Sequence, residues 1–211
     1  MSDGLIVIGA SGHAKVCIEL LRDTGQHVSF CVGGADSGDI CLGVPVLHGD
    51  EHLEALARQG FRRAFVAIGA NALRQRLAAA VRALGFELVN AVSPRAMVSP
   101  SATIGHGVAI MAGAVINADS SIADLAIINT AASVDHDGVI GEAAHIGPQC
   151  GLAGNVHVGP RSFLGIGSRV IPGVSIGADV VAGAGSVIIS NVAQNARIAG
   201  IPAKTMRKKA P

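Results

Sequence analysis

A period of six in the second half of this chain limits its fold more than any other feature. Counting in sixes from Val98 gives Ile104, Ile110, Ile116, Ile122, Ile128, Val134, Ile140, Ile146, Leu152, Val158, Leu164, Val170, Ile176, Ala182 and Ile188. Fifteen of these sixteen positions are Val, Ile or Leu, and the register never slips. Four residues after each of the first fifteen stands a short side chain, such as Ala114, Ser120, Ala132, Cys150 or Ser168. Gly often follows the aliphatic directly, as at Gly105, Gly141, Gly147, Gly159, Gly165, Gly177 and Gly183.

An α-helix cannot keep one face with this period, because 3.6 residues per turn would spiral the aliphatics around its surface. The period fits a chain that turns a corner every six residues, with three corners to a coil. Residues 98–188 then make about five coils stacked at the ~4.8 Å spacing of paired strands, a hexapeptide parallel β-helix. Composition agrees: there is no Trp or Tyr, only 5 Phe, and 28 Gly, so the core is built from aliphatics in narrow layers.

The first third reads differently. Leu5-Ile-Val-Ile-Gly-Ala-Ser-Gly-His-Ala-Lys15 is a buried strand, a glycine-rich turn and a helix start, the helix ending near Gly25. Strands are expected over 28–32, 64–68 and 89–92, and helices over 50–58 and 72–84, the last capped by Gly85. Alternating strands and helices point to a small parallel α/β sheet, a Rossmann-like βαβ unit. The expected organisation is therefore an α/β domain over 1–93, a β-helix over 94–196 and a C-terminal tail over 197–211.

The turn Gly9-Ala-Ser11-Gly12-His13 can present backbone N–H groups and a helix N-terminus to phosphate oxygens. The loop Gly69-Ala-Asn71 lies at the same carboxyl edge, where open α/β sheets bind ligands. The third glycine of the dinucleotide fingerprint is missing, so one nucleotide diphosphate fits better than NAD. A tight turn with no ligand is the competing reading.

Lys and Arg total 16 against 15 Asp and Glu, a net charge of +1. That balance, without stacking aromatics, argues against nucleic-acid binding. The N-terminus lacks the features of a signal peptide and no uncharged apolar stretch is long enough for a membrane span, so a soluble cytoplasmic protein is expected. Cys17, Cys31, Cys41 and Cys150 show no C-x-x-C spacing and read as small buried hydrophobes, with neither a disulfide nor a metal expected.

The stretch from Ile127 to Pro148 carries the candidate chemistry. His136 stands between Asp135 and Asp137 inside the repeat, where a core needs no such group. A histidine titrates near neutrality and can take a proton from an attacking amine or hydroxyl, with a neighbouring carboxylate fixing its tautomer. On sequence both aspartates qualify. His145 follows after nine residues, half a coil, so one prism carries the two histidines on different sides; they can meet only across an interface between copies. His106 and His157 read as surface residues. Cys150 fills an inward position and is a poor nucleophile candidate.

Gly-Ala-Ser-Gly-His-Ala-Lys at the start, Ile128-Asn-Thr130 with His136-Asp137 and His145, and Gly200-Ile-Pro-Ala-Lys204 at the end together carry a resemblance. The chain resembles, over nearly its whole length, the left-handed β-helix hexapeptide acyltransferases that act on nucleotide sugars, the bacillosamine acetyltransferase and sialic acid O-acetyltransferase group. It is most similar to the GDP-perosamine N-acetyltransferase type, because Val-Asp-His-Asp stands where the bacillosamine enzyme has His-Glu. The resemblance implies a left-handed coil and a homotrimer with active sites between chains. Acetyl-CoA would be the co-substrate and a nucleotide-linked amino-dideoxy sugar the acceptor, acetylated at its amine, with C4 the favoured position. His136 would be the general base with Asp137 beside it. Ser11, Gly12, His13 and Gly69 would hold the nucleotide sugar, joined by Asp36, Asn71 and Asn117. His145, Ile166, Gly183 and Ala184 would meet acetyl-CoA; Lys204, with Arg207, Lys208 and Lys209, can meet its phosphates, and a frayed basic tail is the equal alternative. One departure is clear: where such proteins often carry Asp after the second strand, this chain has Gly33-Gly34, with Asp36 displaced.

Other functions predict different chemistry. A sugar O-acetyltransferase would use a hydroxyl acceptor, and a nucleotide-sugar-binding scaffold would bind without CoA turnover. A carbonic-anhydrase-like lyase on the same solenoid would need three histidines around a metal, and the histidine spacing here offers no such cluster. UDP and GDP sugars are both compatible with the sequence.

Overall fold

The structure, a computed structural model, describes residues 4–206. It divides into two compact units, Met1–Pro94 and Arg95–Pro211.

In the first unit the chain runs β1 (Leu5–Ile8), α1 (Gly12–Asp23), β2 (Val28–Gly33), β3 (Ile40–Cys41), β4 (Val44–His48), α2 (His52–Arg58), β5 (Arg63–Val66), α3 (Asn71–Ala83), β6 (Glu87–Leu88) and β7 (Ala91–Val92). The sheet has the order β3-β4-β2-β1-β5-β6. β1 lies in its middle, parallel to β2 and β5, and all four of its residues are buried, as expected for a parallel strand covered on both faces. α3 ends where expected, before Gly85 at φ +84°. The hairpin of β3 and β4 is not foreseen from the sequence. Its two-residue turn is Leu42-Gly43, with φ +49° and +77°, a type I′ geometry in which Leu replaces the usual Asn. Pro45 interrupts the apolar run at the start of β4, opposite Ile40 and ahead of the pairing of Val46 with Cys31 of β2. Two short strands, β6 and β7, stand where the sequence predicts a single one over 89–92.

The second unit is a left-handed parallel β-helix with three walls. Up to Ile188 the pairings join residues eighteen apart: Ala109, Ile127, His145, Phe163 and Val181 form one ladder, Val115, Ser133, Gly151, Arg169 and Val187 a second, and Thr103, Ser121, Val139, His157 and Ser175 a third. From Ile110 to Ile188 each sixth residue is buried, with Val98 and Ile104 half-covered at the end of the stack. The short residues also point inward. Ser162, Ser168 and Ser186 donate their hydroxyls to Gly177 O, Gly165 O and Gly183 O, each at 2.7 Å, so the core holds polar groups without leaving them unmatched.

Two local features make the corners. From Ile104 to Ala182 the third residue after each sixth position adopts a left-handed conformation, even at Leu125 (φ 62°), Ala131 (φ 55°) and Arg161 (φ 56°). That conformation costs roughly 1–2 kcal/mol for a side chain. It is offset by a repeated hydrogen bond to the coil before, such as Leu125 N to His106 O, Ala131 N to Ala112 O and Arg161 N to Glu142 O. The glycines directly after the aliphatics answer a second need: a Cβ on Gly159 would stand 2.5 Å from Gly177 C, in the backbone of the next coil.

The expected tail from residue 197 needs correction. Arg197–Gly200 pairs parallel with Val181–Ala182 and so extends the first wall, and Ala203–Thr205 folds back antiparallel on it. Ile198 continues the buried stack at 3% exposure, which explains why the chain stays on the solenoid. Arg207, Lys208 and Lys209 lie outside the described residues.

Candidate active site

His136 occupies the corner between the second wall, ending here at Val134, and the third, resuming at Val139. Its Nδ1 donates to Asp137 Oδ2 at 2.7 Å. Asp135 serves a different purpose: its Oδ1 accepts the backbone N–H of His136 at 2.8 Å and the amide of Asn117, one coil earlier, also at 2.8 Å. The corner is fixed from inside by Ser120, whose hydroxyl donates to Asp135 O at 2.9 Å. The two carboxylates thus divide the work, Asp137 orienting the imidazole and Asp135 the backbone that carries it. His136 is held above the ordinary histidine pKa, first by the hydrogen bond to Asp137 and then by the charge of Asp135. Asp135 is held below the usual carboxylate value, chiefly by Asn117. The imidazole is exposed, and no hydrogen bond within the described residues engages its Nε2.

His145 lies half a coil away on the first wall, between Ile127 and Phe163 in the ladder. Its ring meets the Phe163 ring edge-on, with centroids 5.1 Å apart. Asn129 Oδ1 accepts from Thr130 N at 2.8 Å, which turns the Asn129 amide nitrogen toward His145 Nε2 at 3.0 Å. That nitrogen is therefore an acceptor, and the neutral ring carries its proton on Nδ1. His136 and His145 are not brought together within one chain.

Below His145 the wall continues through Phe163 and Val181, and the corner after it holds Ile166 and Ala184 on successive coils. Gly185 N donates to Ile166 O at 2.8 Å. Ile166 is 51% exposed, an apolar step on an otherwise small-residue edge. Gly183 comes next to Ala199, on which Lys204 is paired and exposed. The residues assigned to acetyl-CoA therefore form one line down the solenoid at ~4.8 Å per coil, a path suited to an extended ligand.

In the first unit, Gly9 has φ +114°, and a Cβ there would lie 2.7 Å from Ala67 O, so this turn requires glycine. Ser11 is the N-cap residue of α1, yet its hydroxyl makes no capping bond. Open space lies above Gly12 and above Gly69, where an added Cβ would touch nothing within 4 Å. His13 is pushed down to about 4 by burial and then by the nearby Arg74 charge, so it is neutral at pH 7. Arg74, on α3, is 1% exposed and donates to Ile68 O at 2.8 Å, Gly69 O at 3.1 Å and Asn71 Oδ1 at 2.9 Å. It fixes the loop after β5 and its charge is felt at His13 in the turn after β1. At the end of β2, Gly34 O accepts from His48 Nδ1 at 3.2 Å, and His48 Nε2 reaches Asp39 Oδ1 at 3.1 Å. Asp36 is exposed in the intervening loop.

The N-terminal unit matches the PglD N-terminal domain family over residues 4–81. PerB from Caulobacter crescentus, solved in complex with CoA and GDP-perosamine, is 53% identical, covering 98% of this chain and 99% of that one with a TM-score of 0.95. The chain belongs to the hexapeptide β-helix sugar acetyltransferases. A variant of the perosamine N-acetyltransferase of the same organism with one histidine replaced by asparagine, again with CoA and GDP-perosamine, is 52% identical over 99% of each chain, at a TM-score of 0.96. The acetyltransferase domain of PglB from Neisseria gonorrhoeae FA1090, with acetyl coenzyme A, is 38% identical over 98% of this chain and all of that one, at 0.90. A mimivirus protein of unknown role, L142 of Acanthamoeba polyphaga mimivirus, is 28% identical over 118 residues, and the chain spans 23% of its length.

Within this family's frame, sequence reasoning named His136, Asp137, Asn117 and the phosphate-side loops but missed three residues. Arg74 hides in a helical pattern as one of several arginines, and only its burial distinguishes it. Asn129 was read as part of a motif without a partner. Gly154 lies against the His136 ring, a contact eighteen residues apart that only the coil length could have revealed. Among the described residues no three of His, Cys, Asp or Glu converge as metal ligands, all four cysteines are free and buried, and no helix is long and apolar enough to cross a membrane.

Proposed function

We propose that the chain transfers the acetyl group of acetyl-CoA to the amino group of a nucleotide-linked amino-dideoxy sugar, with GDP-perosamine the expected acceptor and its C4 amine the site. The observation that carries this reading is the His136–Asp137 pair, hydrogen-bonded at 2.7 Å on a chain 53% identical to a protein crystallised with CoA and GDP-perosamine. The amine attacks the thioester carbonyl while His136 Nε2 takes the amine proton. The C–S bond then breaks, and CoA leaves as its thiol. Asp137 keeps the proton of His136 on Nδ1 and steadies the imidazolium. No covalent acyl-enzyme is needed, and Cys150 is unsuited to one, since it is buried with its thiol held above the ordinary value by desolvation.

The nucleotide is assigned to Ser11, Gly12, His13, Gly69 and Asn71, with Asp36 near the base and ribose and Asn117 near the sugar. Acetyl-CoA is assigned to the line from His145 through Ile166, Gly183 and Ala184 to Lys204. Because His136 and His145 stand half a coil apart, we place the reacting groups between copies in a homotrimer, where the corner of one prism meets the first wall of the next. A cytoplasmic location follows from the substrates.

Free-thiol release from acetyl-CoA, measured against GDP-perosamine and a UDP-linked 4-amino sugar, tests the reading. His136→Ala is expected to lose roughly 10²- to 10⁴-fold in kcat. Unchanged turnover in that variant would remove His136 from the chemistry, and release only with hydroxyl acceptors would make the chain an O-acetyltransferase.

A further inference from the structure

Gly154 follows His136 by one coil and sits at the same corner. A Cβ built on it would stand 2.5 Å from both Cε1 and Nε2 of the His136 ring and 3.2 Å from Cδ2. No side chain can occupy that point while the ring stays where it is. The corner itself does not ask for glycine: other coils place Pro100, Ala118, Pro172 and Ser190 at the equivalent position. Backbone conformation does not ask for it either, because the left-handed residue of this corner is Asn155, at φ 56°. Gly154 is nonetheless buried, covered where an exposed corner residue would project.

We infer that Gly154 is a positioning residue: its missing side chain forms the slot in which the His136 imidazole lies, Nδ1 against Asp137 and Nε2 left for the substrate proton. The inference rests on His136 being the general base. An exposed histidine has several accessible rotamers, and one hydrogen bond holds it only in part. A floor of bare backbone on its other edge removes the alternatives, which is how a reacting group is kept in working geometry. The ionisable groups that act on the ring come from its own coil, Asp137 and Asp135, and the coil before carries Asp119 at the position equivalent to Asp137. The following coil contributes Ala153, Gly154 and Asn155, none of them ionisable.

Gly154→Ala tests this. The added methyl meets the end of a mobile side chain rather than backbone, so the protein is expected to fold while the ring leaves Asp137. The His136 titration, followed by NMR with His136→Ala for assignment, should move down toward the ordinary histidine value. In parallel kcat should fall roughly 10- to 100-fold, with KM for acetyl-CoA within about twofold. Pro172→Ala, at the same corner one coil further on, should change neither. An unmoved titration overturns the inference whatever happens to kcat. A moved titration with unchanged kcat upholds the slot and instead refutes His136 as the base. Should Gly154→Ala fail to fold, the double variant with His136→Ala decides: recovery of the fold places the clash at the ring, and continued failure shows that the backbone requires glycine and overturns the proposal.

Discussion

Asp137 holds His136 Nδ1 at 2.7 Å from a corner position whose own φ is 58°. The coils on either side carry Asp119 and Asn155 at the equivalent place, both left-handed. Asp and Asn tolerate that conformation better than other side chains, so the backbone alone would select one of the two here. Function selects between them, since only the carboxylate stabilises the imidazolium. Asp137→Asn should therefore melt like the parent and lose roughly 10²-fold in kcat. The His136 pKa is raised first by Asp137, and a base must be deprotonated to act. The acid limb of the kcat/KM profile should thus lie above the usual histidine range of about 6.5 in the parent and move to lower pH in the variant. Stopped assays across pH 5–9 measure both effects.

Arg74 braces the loop after β5 in the first unit. Three acceptors converge on a guanidinium with 1% exposure, and burial lowers its pKa to about 10, still well above neutrality. Arg74→Met removes the donors and leaves Ile68 O, Gly69 O and Asn71 Oδ1 without them. Hydrogen bonds from a charged donor are worth about 1.5–3 kcal/mol each, and less where the acceptor regains water, as at the exposed Gly69, so a loss of about 3 kcal/mol in all is expected in denaturant melts. Calorimetry should also show weaker binding of the nucleoside diphosphate, because the Gly69–Asn71 loop loses its brace. Arg74→Lys should recover the charge without the fork and give an intermediate result.

How much of this was legible in the sequence depended on periodicity. Ile110 to Ile188 announced the solenoid because each coil repeats one environment, and His136 stood out because a core repeat has no use for a histidine between aspartates. The hairpin at Leu42-Gly43 was not legible, since Leu is an uncommon choice for φ +49° and Pro45 broke the strand pattern. Nor was the division of labour between Asp135 and Asp137, which depends on which carboxylate faces the ring and which the backbone. The continuation past residue 196 was hidden because Ile198 pairs with Ala182 only sixteen residues earlier and so falls out of the count in sixes, although its burial keeps the segment on the wall.

His13 gives the clearest pH signature. Its folded pKa is about 4 against an ordinary 6.5, and desolvation is the main cause. The unfolded chain therefore binds the extra proton first as pH falls. Stability from the neutral, buried ring is complete above about pH 6.5 and is lost progressively between there and pH 4. His13→Gln should flatten that part of the stability profile in urea melts at fixed salt. In NMR, His13 should stay neutral at pH 5.5, where His136 is already protonated. A His13 that titrates near 6.5 would show that the turn is more open than its burial indicates.

The spacing of the coils is set by the glycines that directly follow the aliphatics. At Gly165 an added Cβ would lie 2.7 Å from Ala184 N and 2.8 Å from Ala182 O, both backbone atoms of the next coil, the second of which accepts the Gly165 N–H. At Gly167, two residues on, φ is +73° but a Cβ would meet nothing within 4 Å. Gly165→Ala must push two coils apart, an overpacking cost of about 1–3 kcal/mol. Gly167→Ala carries only the cost of a left-handed alanine, which Ala131 and Ala143 already bear at φ 55° and 52°. Gly165→Ala should therefore melt lower, by about 2–4 °C for each kcal/mol lost. Gly165 also lies on the line of residues assigned to acetyl-CoA, so its variant should raise KM for acetyl-CoA, and Gly167→Ala should leave it closer to the parent. Equal melting of the two variants would mean that the coils can separate at little cost, and that the glycine after each aliphatic is kept for ligand access rather than for stacking.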